Sequence, residues 1–261
     1  MASFLSRALR LLAGTSWAVI ALAAPVTYFD TSFNTADWTP TVAGTNGATV
    51  QILGPIIAAG NPSVGQAVVI VFPRSASGSN STATGVSLNN VFQYDPATQG
   101  AVTSLSIGFD VRFSGSSGLS TPAAPFYRPV LRQNGLFYSF QGSSLQPPNS
   151  GAWTPASFTS LSAADWTRSG GGNPDFSLTG GILQFGYSAP ISFSCGTSPT
   201  GFCATASLGG HLDNFSIAID SVSGGGGTSD VPEPSTLALL APAAGATLLV
   251  RRTRRRQGQR Q

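Results

Sequence analysis

Leu105-Ser106-Ile107-Gly108-Phe109-Asp110-Val111-Arg112-Phe113 sets five apolar residues in strict alternation with Ser, Gly, Asp and Arg. A period of two puts all five on one side of an extended chain, which is the pattern of a strand with one buried and one wet face. The next unit has the same character. Between Tyr127 and Phe140, Asn134-Gly135 separates Pro129-Val130-Leu131-Arg132-Gln133 from Leu136-Phe137-Tyr138, and Asn-Gly between two β-prone runs predicts a tight hairpin. Further strands are expected at Ala48–Leu53, Gln66–Phe72, Ile182–Tyr187 and Phe215–Ile219. Stretches 75–85, 114–125 and 142–155, rich in Gly, Ser and Pro, read as loops, and a helical turn is expected only near Ser162-Ala163-Ala164-Asp165-Trp166.

Composition agrees with strands and turns. The chain has 31 Gly and 18 Pro among 261 residues, which disfavours a helical bundle. Only 9% of residues are charged against 41% hydrophobic, so it is not a charged disordered chain either. The 207 residues from 24 to 230 suffice for one continuous core. The expected fold is all-β, an antiparallel β-sandwich with jelly-roll-like connections over residues 24–223.

Both ends read as targeting segments. Residues 1–23 carry Arg7 and Arg10, an apolar run from Leu11 to Ala23, and Ala21-Leu22-Ala23 at its end, the layout of a helical signal peptide cut by the export machinery. At the other end a Gly-rich linker, 224–230, precedes Val231-Pro232-Glu233-Pro234-Ser235-Thr236, an apolar run from Leu237 to Val250, and Arg251, Arg252, Arg254, Arg255 and Arg256. The run would measure roughly 21 Å as a helix, a marginal membrane span that Pro242 and Gly245 weaken. A basic tail can also signal nucleic acid. That partner is excluded here because an exported chain does not meet chromosomal DNA and the arginines directly follow an apolar run.

The order of tag, apolar helix and basic stop over residues 231–261 resembles the PEP-CTERM protein-sorting domain of exopolysaccharide-producing Gram-negative bacteria. Membership would imply export, transient insertion in the inner membrane through a C-terminal transmembrane helix, and recognition of Val231, Pro232, Glu233 and Pro234 by an exosortase, a cysteine-protease-like transpeptidase. Delivery to the cell surface or extracellular matrix would follow. Pro242 departs from the uninterrupted helix common in that family. Separately, Phe29-Asp30-Thr31-Ser32-Phe33 with Trp38, and Leu212-Asp213-Asn214-Phe215-Ser216-Ile217, resemble the first and last strands of lectin, glucanase-like and carbohydrate-binding jelly rolls, which implies contact with glycan.

Little chemistry is available inside the domain. Cys195 and Cys203 are the only cysteines and flank a turn-rich loop, so in an exported chain a disulfide is expected. Glu233 is the only glutamate and lies in the tag. A secreted carbohydrate-active hydrolase or lyase, the alternative reading, would have to draw on Asp110, Asp165, Asp175, Asp213 and Asp220, with the sole histidine His211. No complete catalytic constellation is visible, and a non-enzymatic role is preferred. Asp30 and Asp213, flanking the first and last strands, have the hard oxygens a structural calcium takes, or are ordinary turn residues, the commoner case. No other cofactor is indicated.

The domain from 24 to 230 keeps five arginines and nine aspartates, a net charge of −4, so the basic pI near 9.2 belongs to the ends. Arg112, Arg128 and Arg132 are three of those five arginines. Arginine forks match the carboxylates of uronic acids, and Tyr127 and Tyr138, with Phe137, are of a type that stacks on sugar rings. These residues are the candidate contacts for exopolysaccharide, with a solvated, edge-blocking face as the alternative.

Overall fold

Asn134 and Gly135 adopt left-handed backbone, with φ of 52° and 79°, which lets a two-residue turn match the twist of the strands it joins. The computed structural model describes residues 24–57, 60–61, 64–119, 123–196 and 199–222. Fourteen strands run through them: β1 (Val26–Asp30), β2 (Trp38–Gly44), β3 (Thr49–Ile57), β4 (Val64–Phe72), β5 (Ser75–Ala76), β6 (Asn80–Tyr94), β7 (Ala101–Ser117), β8 (Arg128–Gln133), β9 (Leu136–Phe140), β10 (Thr154–Leu161), β11 (Trp166–Thr167), β12 (Leu183–Ser194), β13 (Phe202–Cys203) and β14 (Ala206–Val222). Sheet A has the order β10-β7-β14-β4-β3, with β1 also paired to β14; sheet B has the order β11-β9-β8-β12-β6-β2; β13 and β5 form a separate pair. All pairings are antiparallel, and the first and last strands lie together with Val26 opposite Ile219. The β-sandwich is as the alternation in 105–113 implies.

That stretch is the middle of β7. Leu105, Ile107, Phe109 and Val111 are buried, and the side chains between them are only partly covered. Phe109 stacks on Phe215 of β14, and Trp38 meets Phe215 edge-on at 5.3 Å and Phe33 face-on at 5.3 Å. Asp30 fixes this cluster. Its carboxylate accepts from the backbone N–H groups of Ser32 and Phe33, from Ser32 Oγ, from Trp38 Nε1 at 2.7 Å and from Asn89 Nδ2. Hydrogen bonds to a charged group stabilise by about 1.5–3 kcal/mol each, so this buried carboxylate ties the chain entry to the core.

Several local expectations are corrected. Residues 75–85 are mostly strand, because Ser81 and Ala83 point inward, each 1% exposed, while β6 is paired on both sides by β12 and β2. Small polar residues carry no hydrophobic period, so the ladder forms this strand against its sequence signal. β7 runs on to Ser117, and β10 takes the end of the expected 142–155 loop. β12 extends through Pro190 to Ser194. This is tolerated because β8 pairs only with 183–188, leaving Pro190 a ladder on one side. Besides the turn at Ala163–Asp165, where Asp165 accepts from Ser162 N–H and Oγ, short helical turns occur at Thr35–Asp37 and Pro96–Gln99.

Cys195 and Cys203 form the expected disulfide, with Cα atoms 5.7 Å apart. It lies at the pole where β12 ends, beside an apolar groove of about 630 Å³ lined by Phe72, Leu119, Ile191, Phe193 and Leu208 among others. The chain enters and leaves at the opposite pole, since Val26 pairs near the end of β14 and Val222 faces Ala101. The chain divides at Gly224/Gly225, and every described residue belongs to the first unit. The expected signal helix, 224–230 linker and 231–261 sorting segment with a hydrophobic helix all fall outside the described residues. Among the described residues no helix is long and apolar enough to cross a membrane.

Candidate functional site

β7 presents Ser104, Ser106, Gly108, Asp110 and Arg112 on the outer face of sheet A, about 7 Å apart along the strand. The ladder sets their neighbours. Gly108 faces Ser216 of β14, which in turn faces Phe29 of β1, while Ser157 of β10 lies on the other side. Ser106 faces Ala218, which faces Thr27. Small residues thus floor the centre of the sheet, and Phe29, 64% exposed, stands at its side. The result is an open trough of about 320 Å³. A Cβ at position 108 would come within 2.9 Å of Ser216 Oγ, so glycine keeps the floor low.

A polar cluster closes one end. Asn61, in the β3–β4 connection, donates its backbone N–H to Asp213 and its side-chain amide to Asp110 Oδ2 at 3.0 Å, and accepts from Asn214 Nδ2. Asn214 also donates to Asp110 Oδ2 at 2.7 Å. The ladder slips between Asp213 and Ser216, with Asn214 at φ 52°, and this bulge brings Asp213 and Asn214 to the cluster. Burial pushes the Asp213 carboxyl up from its ordinary value; backbone donors at Asn61 and Asn214 oppose this, while Asp110 and Asp30 add to it.

One step further along β7, Arg112 donates Nε–H to His211 Nδ1 at 3.0 Å and stacks over the Trp153 ring at 4.9 Å. The acceptor role at Nδ1 requires neutral imidazole. Burial, then the Arg112 charge, hold His211 below its usual range. Phe29, the small-residue floor, the Asn61 cluster and the Trp153–Arg112–His211 row therefore line one continuous face.

Of the residues named as glycan contacts, Arg112 alone lies on that face. Arg112 is on sheet A, whereas Arg128 and Arg132 are on β8 of sheet B. Tyr127 is 0% exposed and Tyr138 6%, both inside the core, so neither ring reaches a ligand. Period two on β8 and β9 fixes parity, but which parity faces inward is set by the opposite sheet. Trp153 and Asn61 escape sequence reading, and Phe29 enters it only as part of an opening strand, not as a contact residue. Phe29 lies in Val26-Thr27-Tyr28-Phe29, where Tyr28 also looks apolar and packs inward on Phe92, and Trp153 sits in a segment that reads as loop.

Asp30 and Asp213 do not present a calcium site. Asp30 is surrounded by five hydrogen-bond donors, and both Asp213 oxygens take backbone N–H groups. Donors favour the carboxylate but oppose a cation, which needs a shell of oxygens. Among the described residues no group of three or more His, Cys, Asp or Glu side chains could hold a metal ion. Of the aspartates considered for catalysis, only Asp110 and Asp213 are ladder partners, and Asp213 is 1% exposed. Asp165 caps a turn, Asp175 binds Ser177 and Asp220 binds Ser104.

Distant similarities connect the chain to solved structures. A family 11 carbohydrate-binding module from Clostridium thermocellum, in complex with a β-1,3-1,4-mixed-linked tetrasaccharide, is 14% identical over 77% of this chain and 99% of that one, with a TM-score of 0.40. The CBM22-1 xylan-binding domain of Paenibacillus barcinonensis Xyn10C is 11% identical over 77% and 99%, with a TM-score of 0.33. The C-terminal family 22 carbohydrate-binding module of Clostridium thermocellum Xyn10B is 15% identical over 76% and 94%, with a TM-score of 0.32. No family model and no curated protein matches the sequence.

Proposed function

We propose that the domain binds polysaccharide along the outer face of sheet A and performs no chemistry on it. The observation that carries this reading is the trough itself: an open channel with a small-residue floor, an exposed aromatic wall and an amide, carboxylate and guanidinium cluster at one end. A sugar chain needs that combination. Its C–H faces pack on an aromatic ring, its hydroxyls exchange hydrogen bonds with hydroxyl, amide and charged groups, and its length requires an open groove rather than a closed pocket. Catalysis by paired carboxylates is disfavoured because Asp213 is buried and its oxygens are committed to Asn61 and Asn214.

Native affinity electrophoresis of the full chain in gels containing neutral β-glucan, xylan or mannan tests the reading. Phe29→Ala and Gly108→Leu should each weaken retention by about tenfold, equal to 1.4 kcal/mol, the first by removing the stacking face and the second by filling the floor. Unaltered retention of both variants would sink the sheet A assignment.

The delivery route belongs to the same proposal. Val231-Pro232-Glu233-Pro234, the apolar run and the arginine cluster support exosortase sorting to the cell surface or matrix after transient residence in the inner membrane, and the Cys195–Cys203 disulfide suits an oxidising compartment. Mass spectrometry of the mature protein should find a C-terminus near Pro232-Glu233-Pro234; an intact Gln261 terminus on surface-exposed protein would refute processing.

A further inference from the structure

The outer face of sheet B carries a separate feature. On β8, Leu131 and Gln133 are buried, Gln133 clasping the Asp175 backbone and the Gly181 carbonyl, while Arg128 and Arg132 take the opposite parity about 13 Å apart along the strand, with Val130, itself buried, between them. Arg132 is exposed and lies over Phe137 at 5.9 Å, and its ladder neighbours are Phe137 and Gln184. Arg128 is half-buried beside Ser188, and its Nε is buried with no hydrogen-bond partner. Neither guanidinium meets a carboxylate among the described residues, although the domain holds more aspartates than arginines.

We propose that this face is a second site, in which Arg128 and Arg132 each take one carboxylate of an acidic polysaccharide and Phe137 packs against the sugar beside Arg132. The planar fork matches a carboxylate in two parallel hydrogen bonds, and at Arg128, whose Nε is covered, the terminal guanidinium nitrogens are the donors a ligand carboxylate meets. Nucleic acid fits poorly, because a phosphate backbone calls for many cations and here two stand on a lysine-free domain of net negative charge. Since the two faces point away from each other across the sandwich, one molecule carrying both sites bridges two glycan chains. The bridging rests on the sheet A reading; the carboxylate site does not.

Affinity electrophoresis of the full chain in alginate, dextran sulfate and neutral dextran separates the outcomes. The wild type should be retarded by alginate, less so as salt rises, and not by dextran. Arg128→Gln with Arg132→Gln should weaken the alginate interaction at least tenfold. Arg132→Gln alone, at an exposed position that cannot perturb folding, should weaken it about threefold. Phe29→Ala should leave it unchanged, so failure of the sheet A reading and failure of this one are told apart. No retardation of the wild type by alginate, full retention of the double variant, or stronger retardation by dextran sulfate than by alginate, the mark of general polyanion exchange, would each overturn the proposal.

Discussion

His211 and Arg112 couple the face of sheet A to pH. Unfolded, His211 protonates near its ordinary 6.5, whereas folded it does so only at lower pH, because of burial and the neighbouring arginine. The stability this pair contributes is therefore complete above about pH 6.5 and is lost as pH falls through the folded value. Protonation also places an N–H where Nδ1 now accepts from Arg112, so the row beside Trp153 loosens over the same range. Asp213 acts in the opposite sense. Its folded carboxyl titrates above 3.8, so falling pH adds stability as it passes that raised value. His211→Asn, which retains an acceptor for Arg112 Nε, should flatten the decline of urea midpoints below pH 6.5; parallel curves for variant and wild type would refute the assignment. None of this was legible in the sequence, where His211 appears as a lone histidine. Its partner is set by the β14–β7 register, which places it opposite Arg112.

Strands whose burial leaves a period or whose turn has a signature were legible: β7 follows from alternation and the β8–β9 hairpin from Asn-Gly. Strands with small polar residues or interrupted runs were not. β6 begins Asn80-Ser81-Thr82-Ala83-Thr84-Gly85 and is strand because two neighbours pair with it. The sheet margins show the same logic of context. A domain without lysine cannot guard its edges with lysine charges. Instead the edge strands β2, β3 and β10 carry Pro40, Pro55 and Pro155, each lacking a backbone donor, and β11 is only two residues long. β2 depends on this most, since it has no charged residue and every side chain after Trp38 is exposed. Pro40→Val should leave the melting temperature within about 2 °C, as expected of a surface change of ~0.5 kcal/mol, yet raise light scattering on incubation at high concentration. Equal scattering would show that the edge needs no proline.

For the molecule as a whole, charge divides the chain into ends and domain more cleanly than any motif does. The ends hold most of the arginines, and the domain between them is negative, so its few cations are the groups on which the proposed sites rest once the sheets assign each to a face. Sequence alone groups Arg112, Arg128 and Arg132; only the pairing of β7 with β14 and of β8 with β12 divides them between opposite surfaces. The placement of β14 has a mechanical meaning. It ends at the pole where the chain continues toward residues 231–261, the proposed sorting segment, after running 17 residues with β7 on one side and β4 and β1 on the other. Were the protein anchored through that segment while a glycan dragged on the outer surface of sheet A, tension would travel along β14 and load its flanking ladders in shear. Many hydrogen bonds would then share the force together, instead of parting one by one as in a peeled edge, and the domain would resist flow as a rivet does.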